Sequence, residues 1–227
     1  MYNNFFDDNR QSIMRGFFLN DLSKLGTEKK FKKNELIDIK LENYVAIVLK
    51  GVISQSIISS NGHEKLLYLL RPGEIFGEMY LFCGGTDSII AKGKTDGKMA
   101  IIAGDTLEEM LNTHPDIYRH FIHSITRKFR IVMLQLTNCV FNDALGKISD
   151  ALLRLCSCSE PDGMGRTCIN MTFTHQELAN NIGCSRITVT RCLNRLLNEN
   201  VISYDNRSII INRPDVLKQY IDTIVED

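Results

Sequence analysis

The sequence predicts an α+β chain: a compact β barrel or roll, then one long helix, then a winged helix-turn-helix. Three observations predict it. Short apolar runs punctuated by Gly and Pro fill the stretch from Phe31 to about Ile102. From Pro115 the apolar spacing turns helical, and Thr174 to Leu196 reads as two short helices across a glycine.

The β signals come in order. Tyr44-Val45-Ala46-Ile47-Val48-Leu49 is an apolar run ending at Gly51. Val52 to Ile58 and Leu66 to Leu70 are read as a hairpin, with Asn61-Gly62 as the positive-φ pair that closes it. Arg71-Pro72-Gly73-Glu74 has the residues of a tight turn, Pro early and Gly next. Gly77 and Gly84-Gly85 break the next stretch.

After Pro115, a favourable first helical residue, apolar side chains recur at Ile117, Phe121, Ile125, Phe129, Val132, Met133, Leu136 and Val140. One stripe this long fits packing on the chain's own barrel or, as favoured here, the seam of a two-stranded coiled coil. The expected dimer seam is Ile117, Phe121, Ile125, Phe129, Val132, Leu136 and Val140. Asn142-Asp143 then reads as a hinge. A further helix follows with Leu145, Ile148, Leu152 and Leu155 on one face, then a loop holding Pro161, Gly163 and Gly165.

Thr174 and Glu177 have the spacing of a capping box, which starts a helix by satisfying two orphan donors reciprocally. Gly183 stops that helix and Ser185 caps the next. Leu178, Ala179 and Ile182 would pack on Val189, Leu193, Leu196 and Leu197. From Cys184 to Asn198 there are three arginines, Arg186, Arg191 and Arg195, and no acid. Arg186, Ile187, Thr190 and Arg191 fall on the face opposite Val189 and Leu193. Arg pairs bidentately with guanine, and an Ile makes only apolar contact, most usefully with a thymine methyl. Thr174, His175 and Gln176 open the first helix, where free N–H groups favour a phosphate. Val201–Tyr204 and Ile209–Ile211 form a wing with Arg207 at its tip. The candidate DNA-contacting residues are Thr174, His175, Gln176, Ser185, Arg186, Ile187, Thr188, Thr190, Arg191, Arg195 and Arg207.

The 227 residues leave room for two modest domains. Lys+Arg and Asp+Glu are 27 each, which excludes a polybasic, sequence-blind nucleic-acid binder but not a local basic face. Residues 166–213 hold six arginines, Arg166, Arg186, Arg191, Arg195, Arg207 and Arg213, against Glu177, Glu199 and Asp205. No apolar run approaches a membrane span and the acidic N-terminus lacks signal-peptide features, so a cytoplasmic protein with no membrane partner is expected. Cys83, Cys139, Cys156, Cys158, Cys168, Cys184 and Cys192 lack metal-site spacing. No cofactor, structural metal or enzymatic constellation is expected.

The chain from about Phe31 to Ile211 resembles the Crp–Fnr superfamily of bacterial transcription regulators. Thr174 to Leu196, the stretch from Pro115-Asp116-Ile117 to Leu155, and Arg71-Pro72-Gly73-Glu74-Ile75-Phe76-Gly77-Glu78 carry the resemblance. It implies a double-stranded β-helix (a cyclic-nucleotide-binding-like β roll) over residues 1–112, a dimerisation helix over 113–142 and a winged helix-turn-helix over 143–227. It further implies a homodimer on a palindromic operator, a small-molecule effector, and RNA polymerase as a partner if the protein activates. In cyclic-AMP-binding members an Arg-Ser pair holds the phosphate. Here the stretch is Thr86-Asp87-Ser88, and an Asp repels a phosphate. The Thr-Ser pair that meets adenine aligns with Val132 and Met133. The expected effector is therefore not cyclic AMP, and the expected pocket is Gly77, Glu78, Tyr80, Ser88, Val132, Met133 and Leu136. The N-terminal cysteines of the iron–sulfur branch are absent. Two other readings use the same scaffold: a thiol redox sensor on Cys156, Cys158 or Cys83, and a cyclic-nucleotide-binding regulatory protein acting on a protein partner.

Overall fold

A computed structural model describes residues 6–41, 43–85, 88–156, 167–169, 173–205 and 208–222. The chain forms two compact units whose boundary falls between Ile131 and Val132, within the long helix.

The first unit opens with a helix the sequence reading missed, α1 (Asp8–Asn20). The Asp7 carboxylate caps it, accepting from Arg10 N at 2.9 Å, and Met14 and Phe18 are buried. A 3-10 turn at Leu22–Leu25 leads into β1 (Thr27–Phe31), β2 (Tyr44–Lys50), β3 (Ile53–Ile58), β4 (Glu64–Leu70) and β5 (Ile75–Phe76). Then come α2 (Glu78–Cys83), β6 (Ile89–Gly93), β7 (Gly97–Ala103) and α3 (Gly104–Thr113). The strands make two antiparallel sheets, ordered β1-β7-β2-β5 and β4-β3-β6.

Strand β2 shows why the expected roll forms. Its run is apolar on both faces because both faces are covered. Ala46 and Val48 point between the sheets with Phe31, Ile53, Leu70, Phe76, Ala91 and Met99. Val45 and Ile47 join Met14, Phe18, Leu22, Leu107, Leu111, Ile117 and Phe121 in a second cluster beneath the helices.

One local expectation needs adjusting. The β3–β4 hairpin is longer than a two-residue turn: Gly62 N donates to Ser59 O and Ser59 N to His63 O, each at 2.9 Å. Only Gly62 is left-handed (φ 78°), so Asn61 is not half of a positive-φ pair. At Arg71-Pro72-Gly73-Glu74 the turn is as expected, closed by Glu74 N to Arg71 O at 2.9 Å with Gly73 at φ 80°.

The long helix starts with a 3-10 turn, Pro115–Ile117, and continues as α4 (Tyr118–Phe141). Here the expected seam is corrected. Ile117 and Phe121 are 6% and 1% exposed and belong to the core of their own unit, so they face no partner. The exposed large apolar residues of α4 are Tyr118, Ile122, Ile125, Phe129, Met133, Leu136, Val140 and Phe141. Phe129 is 65% exposed. Val132 is half-buried.

The second unit continues with α5 (Ala144–Cys156), β8 (Thr167–Cys168), α6 (His175–Ile182), α7 (Arg186–Asn198), β9 (Ile202–Asp205), β10 (Ser208–Ile211) and α8 (Pro214–Gln219). At the expected hinge, Asp143 starts α5 by accepting from Gly146 N at 2.8 Å. Leu145, Ile148, Leu152, Leu178, Ile182, Val189, Leu193, Leu196, Val201 and Leu217 make one core.

Phe121 meets Phe18 edge-on at 5.2 Å between ring centroids and Phe82 at 5.5 Å. Phe121→Ala should cost about 3–5 kcal/mol of unfolding free energy in urea titrations, the cost of an unfilled core cavity. A loss under about 1 kcal/mol would show the residue to be a surface one.

Candidate nucleic-acid interface

The site is built from α6, α7 and the β9–β10 wing. Helix α6 begins with the expected capping box: Thr174 Oγ1 accepts from Glu177 N at 3.1 Å, and Thr174 N donates to Glu177 Oε2 at 2.7 Å. It ends at Gly183, whose φ of 69° and ψ of 37° are left-handed. Nothing lies within 4 Å of a Cβ added there, so conformation rather than space calls for glycine. Gly183 N and Cys184 N both donate to Ala179 O, at 2.9 and 3.1 Å.

Ser185 then caps α7, its Oγ accepting from Thr188 N at 3.1 Å. The helix closes with Asn200 left-handed (φ 55°) and Val201 N donating to Leu196 O at 2.9 Å. Burying Val189, Leu193 and Leu196 turns Arg186, Ile187 and Arg191 to solvent. Ile187 is 73% exposed, an unusual place for a β-branched aliphatic residue. Among the described residues, neither Arg186 nor Arg191 has its guanidinium in an ion pair. The face keeps two uncommitted cations beside one bare apolar side chain.

Other expected contacts are tied up within the protein. His175 Nδ1 lies 2.8 Å from Thr190 Oγ1. The Thr190 hydroxyl gives its own proton to Arg186 O at 3.0 Å, so the ring donates through Nδ1. This bond fastens the start of α6 to α7. Gln176 Nε2 donates to Asn180 Oδ1 at 2.8 Å. Thr188 Oγ1 pairs with Ser185 Oγ at 2.9 Å.

Arg195 is the main departure. Its Nε donates to Glu199 Oε1 at 2.8 Å and its guanidinium lies 5.4 Å from the Tyr220 ring centroid. It is paired with the end of its own helix while its side chain remains exposed. The wing pairs Ile202 with Ile211 through Asp205 with Ser208. Arg207 at its tip lies outside the described residues.

Of the expected effector pocket, Gly77, Glu78, Tyr80 and Ser88 fall in the first unit, and Val132, Met133 and Leu136 in the second. Glu78 is buried and paired with the Lys128 ammonium, which also donates to Ile75 O at 2.8 Å and lies 5.7 Å from the Tyr68 ring centroid. Burial, with the Glu78 charge second, pushes the Tyr68 hydroxyl up to about 12. Tyr80 is half-buried and Ser88 exposed. Thr86 and Asp87 lie outside the described residues.

Cys83 is exposed. Cys156 is buried and Cys158 lies outside the described residues. Burial raises the Cys192 thiol, which disfavours the reactive thiolate. Among the described residues no three His, Cys, Asp or Glu side chains gather as a metal site. Among the described residues no helix is long and apolar enough to cross a membrane.

Comparison with known proteins agrees with this geometry. Residues 146–220 match the family described as Crp-like helix-turn-helix domain, and residues 28–114 match the Cyclic nucleotide-binding domain. The cAMP-activated global transcriptional regulator CRP of Pasteurella multocida is 31% identical over 169 residues, covering 72% of this chain and 78% of that protein. Among solved structures, FixK2 from Bradyrhizobium japonicum superposes with a TM-score of 0.74 at 18% identity, covering 88% of this chain and 99% of that one. The c-di-GMP responsive regulator CLP of Xanthomonas campestris gives 0.72 at 19% identity, covering 90% and 99%.

Ser185→Ala removes the acceptor for Thr188 N and should lower stability by about 1 kcal/mol, read as a shift in the urea midpoint at unchanged slope. Ser185→Asp should keep most of it.

Proposed function

The chain belongs to the Crp–Fnr superfamily of transcription regulators, and from that premise we propose a homodimer that reads a palindromic operator under the control of a small-molecule effector other than cyclic AMP. The observation that carries the DNA reading is the solvent face of α7, where Arg186, Ile187 and Arg191 stand free on a helix capped at its first turn. The first turns of a recognition helix are the part that meets base edges.

The three side chains predict the operator. An arginine fork addresses guanine O6 and N7, and Ile187 has no hydrogen-bonding group, so its best partner is a thymine methyl. At the base pair facing Ile187 the half-sites favour A·T over G·C. The two half-sites lie one helical turn apart, roughly 34–36 Å between centres. The uncovered stripe of α4 supports the dimer. Exposed Ile122, Ile125, Phe129 and Leu136, with half-buried Val132 among them, fall at spacings of three and four, the a/d pattern of a two-stranded coiled coil.

The effector reading rests on the sequence. Asp87 stands where a phosphate-binding Arg is expected by resemblance, and Val132 and Met133 replace hydroxyl residues. The relatives named as cAMP-activated thus share the scaffold and not this chemistry. RNA polymerase is a partner if the protein activates. Location in the cytoplasm follows from acting on DNA.

Selection of duplexes from random DNA tests the whole. A palindrome with A·T at the pair facing Ile187 is expected, with cyclic AMP leaving affinity unchanged. An invariant G·C at that pair, or recovery of no duplex at all, overturns the reading. On the selected duplex, Arg191→Ala should cost about 1–3 kcal/mol and relax specificity at one pair. Phe129→Ala should raise the dimer dissociation constant measured by sedimentation.

A further inference from the structure

Three consecutive residues after α8 tie together two places that the helix-turn-helix reading treats separately. At one end, Asn142, the residue that follows α4, grips the main chain of Asp222 with both amide atoms. Asn142 Nδ2 donates to Asp222 O at 3.0 Å, and Asp222 N donates to Asn142 Oδ1 at 2.8 Å. At the other end, Tyr220 OH donates to Glu199 Oε2 at 2.7 Å, while Arg195 donates to Glu199 Oε1 and stacks on the Tyr220 ring. Glu199 is the C-cap of α7. Tyr220 and Ile221 are packed against the core of the unit, so the segment between the two ends is held along its length.

Two features show that these contacts are built in. Gly146, at the start of α5, leaves the room they need. A Cβ there would stand 2.5 Å from Asn142 Oδ1 and 2.6 Å from Tyr220 O, so any larger residue would wedge the grip apart. Glu199 also places a carboxylate at a helix C-terminus, the end whose dipole disfavours an anion. Arg195 and the Tyr220 hydroxyl satisfy both of its oxygens. That is how Arg195, near the end of α7, comes to be committed to the helix C-cap.

We infer that Tyr220–Ile221–Asp222 is a strut that fixes the orientation of α7 against Asn142, with Tyr220 and Asn142 as positioning residues for operator reading. The inference rests on the DNA reading above. A homodimer reads two half-sites at one spacing only if each recognition helix is held at a fixed angle. Exposed pairs such as Arg195–Glu199 add little stability, so the strut acts through geometry.

The test uses the full-length dimer, Tyr220→Phe and Asn142→Ala, and two probes: the palindrome selected by the wild type, and the same duplex with one base pair inserted at its dyad. The wild type should lose on the order of tenfold affinity on the insertion, because the second half-site is rotated and displaced. Both variants should bring that ratio down to about threefold or less, because a loosened helix tolerates the new spacing. A merely structural role lowers affinity for both duplexes alike and leaves the ratio at its wild-type value, which would overturn the strut. A second arm needs no DNA. Amide hydrogen exchange should show Tyr220→Phe exposing the Asp222 amide and Asn142→Ala loosening the last turn of α7, each lesion felt at the far end. Effects confined to the mutated end also overturn the strut. If the wild type selects no duplex, the DNA reading fails and the exchange arm alone decides the strut.

Discussion

The first unit is organised around one buried carboxylate. Glu74 is 4% exposed, and a charge placed there is costly unless its lone pairs are filled. Four donors from three elements fill them. Gln11 and Arg15 reach it from α1, at 3.1 and 2.9 Å. Arg71 N reaches it within its own turn at 2.7 Å, and Arg127 from α4 at 3.2 Å. The turn, the N-terminal helix and the long helix are each positioned by the same group. Removing Glu74 itself would leave Arg15 and Arg127 without their shared counter-charge, the step that is strongly destabilising for a buried ion pair. The arrangement therefore assembles as a whole. Two arginines for one carboxylate leave an excess positive charge, and the Arg127 guanidinium lies 5.2 Å from the Phe6 ring centroid.

What the sequence made legible was whatever is decided within a few residues. The capping box at Thr174, the left-handed stop at Gly183 and the cap at Ser185 depend on local hydrogen bonds and on φ, and each is where the spacing put it. Elements decided by distant partners were not legible. Strand β1, Thr-Glu-Lys-Lys-Phe, is exposed except at Phe31 and has no strand pattern. It exists because it pairs residue by residue with β7, from Thr27 with Ile101 to Phe31 with Gly97. Helix α1 shows only a thin stripe, Met14 and Phe18 with Leu22 beyond its end, among polar neighbours, and it is held by the distant core those residues enter. Short α3 and α8 went unread too.

The long helix shows a different limit. Its period was clear but its phase was not. Ile117 and Phe121 begin one stripe, and Tyr118, Ile122 and Ile125 begin another one residue over. From the sequence the two merge into a single broad apolar face. The fold separates them, because the cluster of Phe18, Leu107 and Leu111 takes Ile117 and Phe121. Ser124 on the covered side is buried too. A helix with one stripe committed to its own core and a second left bare carries more apolar surface than one unit can bury. Periodicity alone cannot say which stripe goes inward; only the neighbours can.

The neutral net charge takes on its meaning from where the acids go. From residue 143 onward the chain has 11 acidic and 9 basic side chains, so the DNA-reading half is formally acidic. Two of the acids nearest the recognition helix are occupied. Glu177 accepts from Thr174 N to start α6, and Glu199 accepts from Arg195 and Tyr220 to finish α7. Glu199 also pairs with Arg195, whose side chain stays exposed. What remains on the solvent face of α7 is Arg186 and Arg191, flanking the chargeless Ile187. A surface of that kind attracts phosphate weakly and without reach, since single charges are screened within about 8–10 Å at physiological salt. On the function proposed above, its discrimination would come from contact, through two planar donors and one apolar branch. A reader so built would depend on the angle of its helix more than on its charge, and in this chain one arginine of that helix is paired with its C-cap.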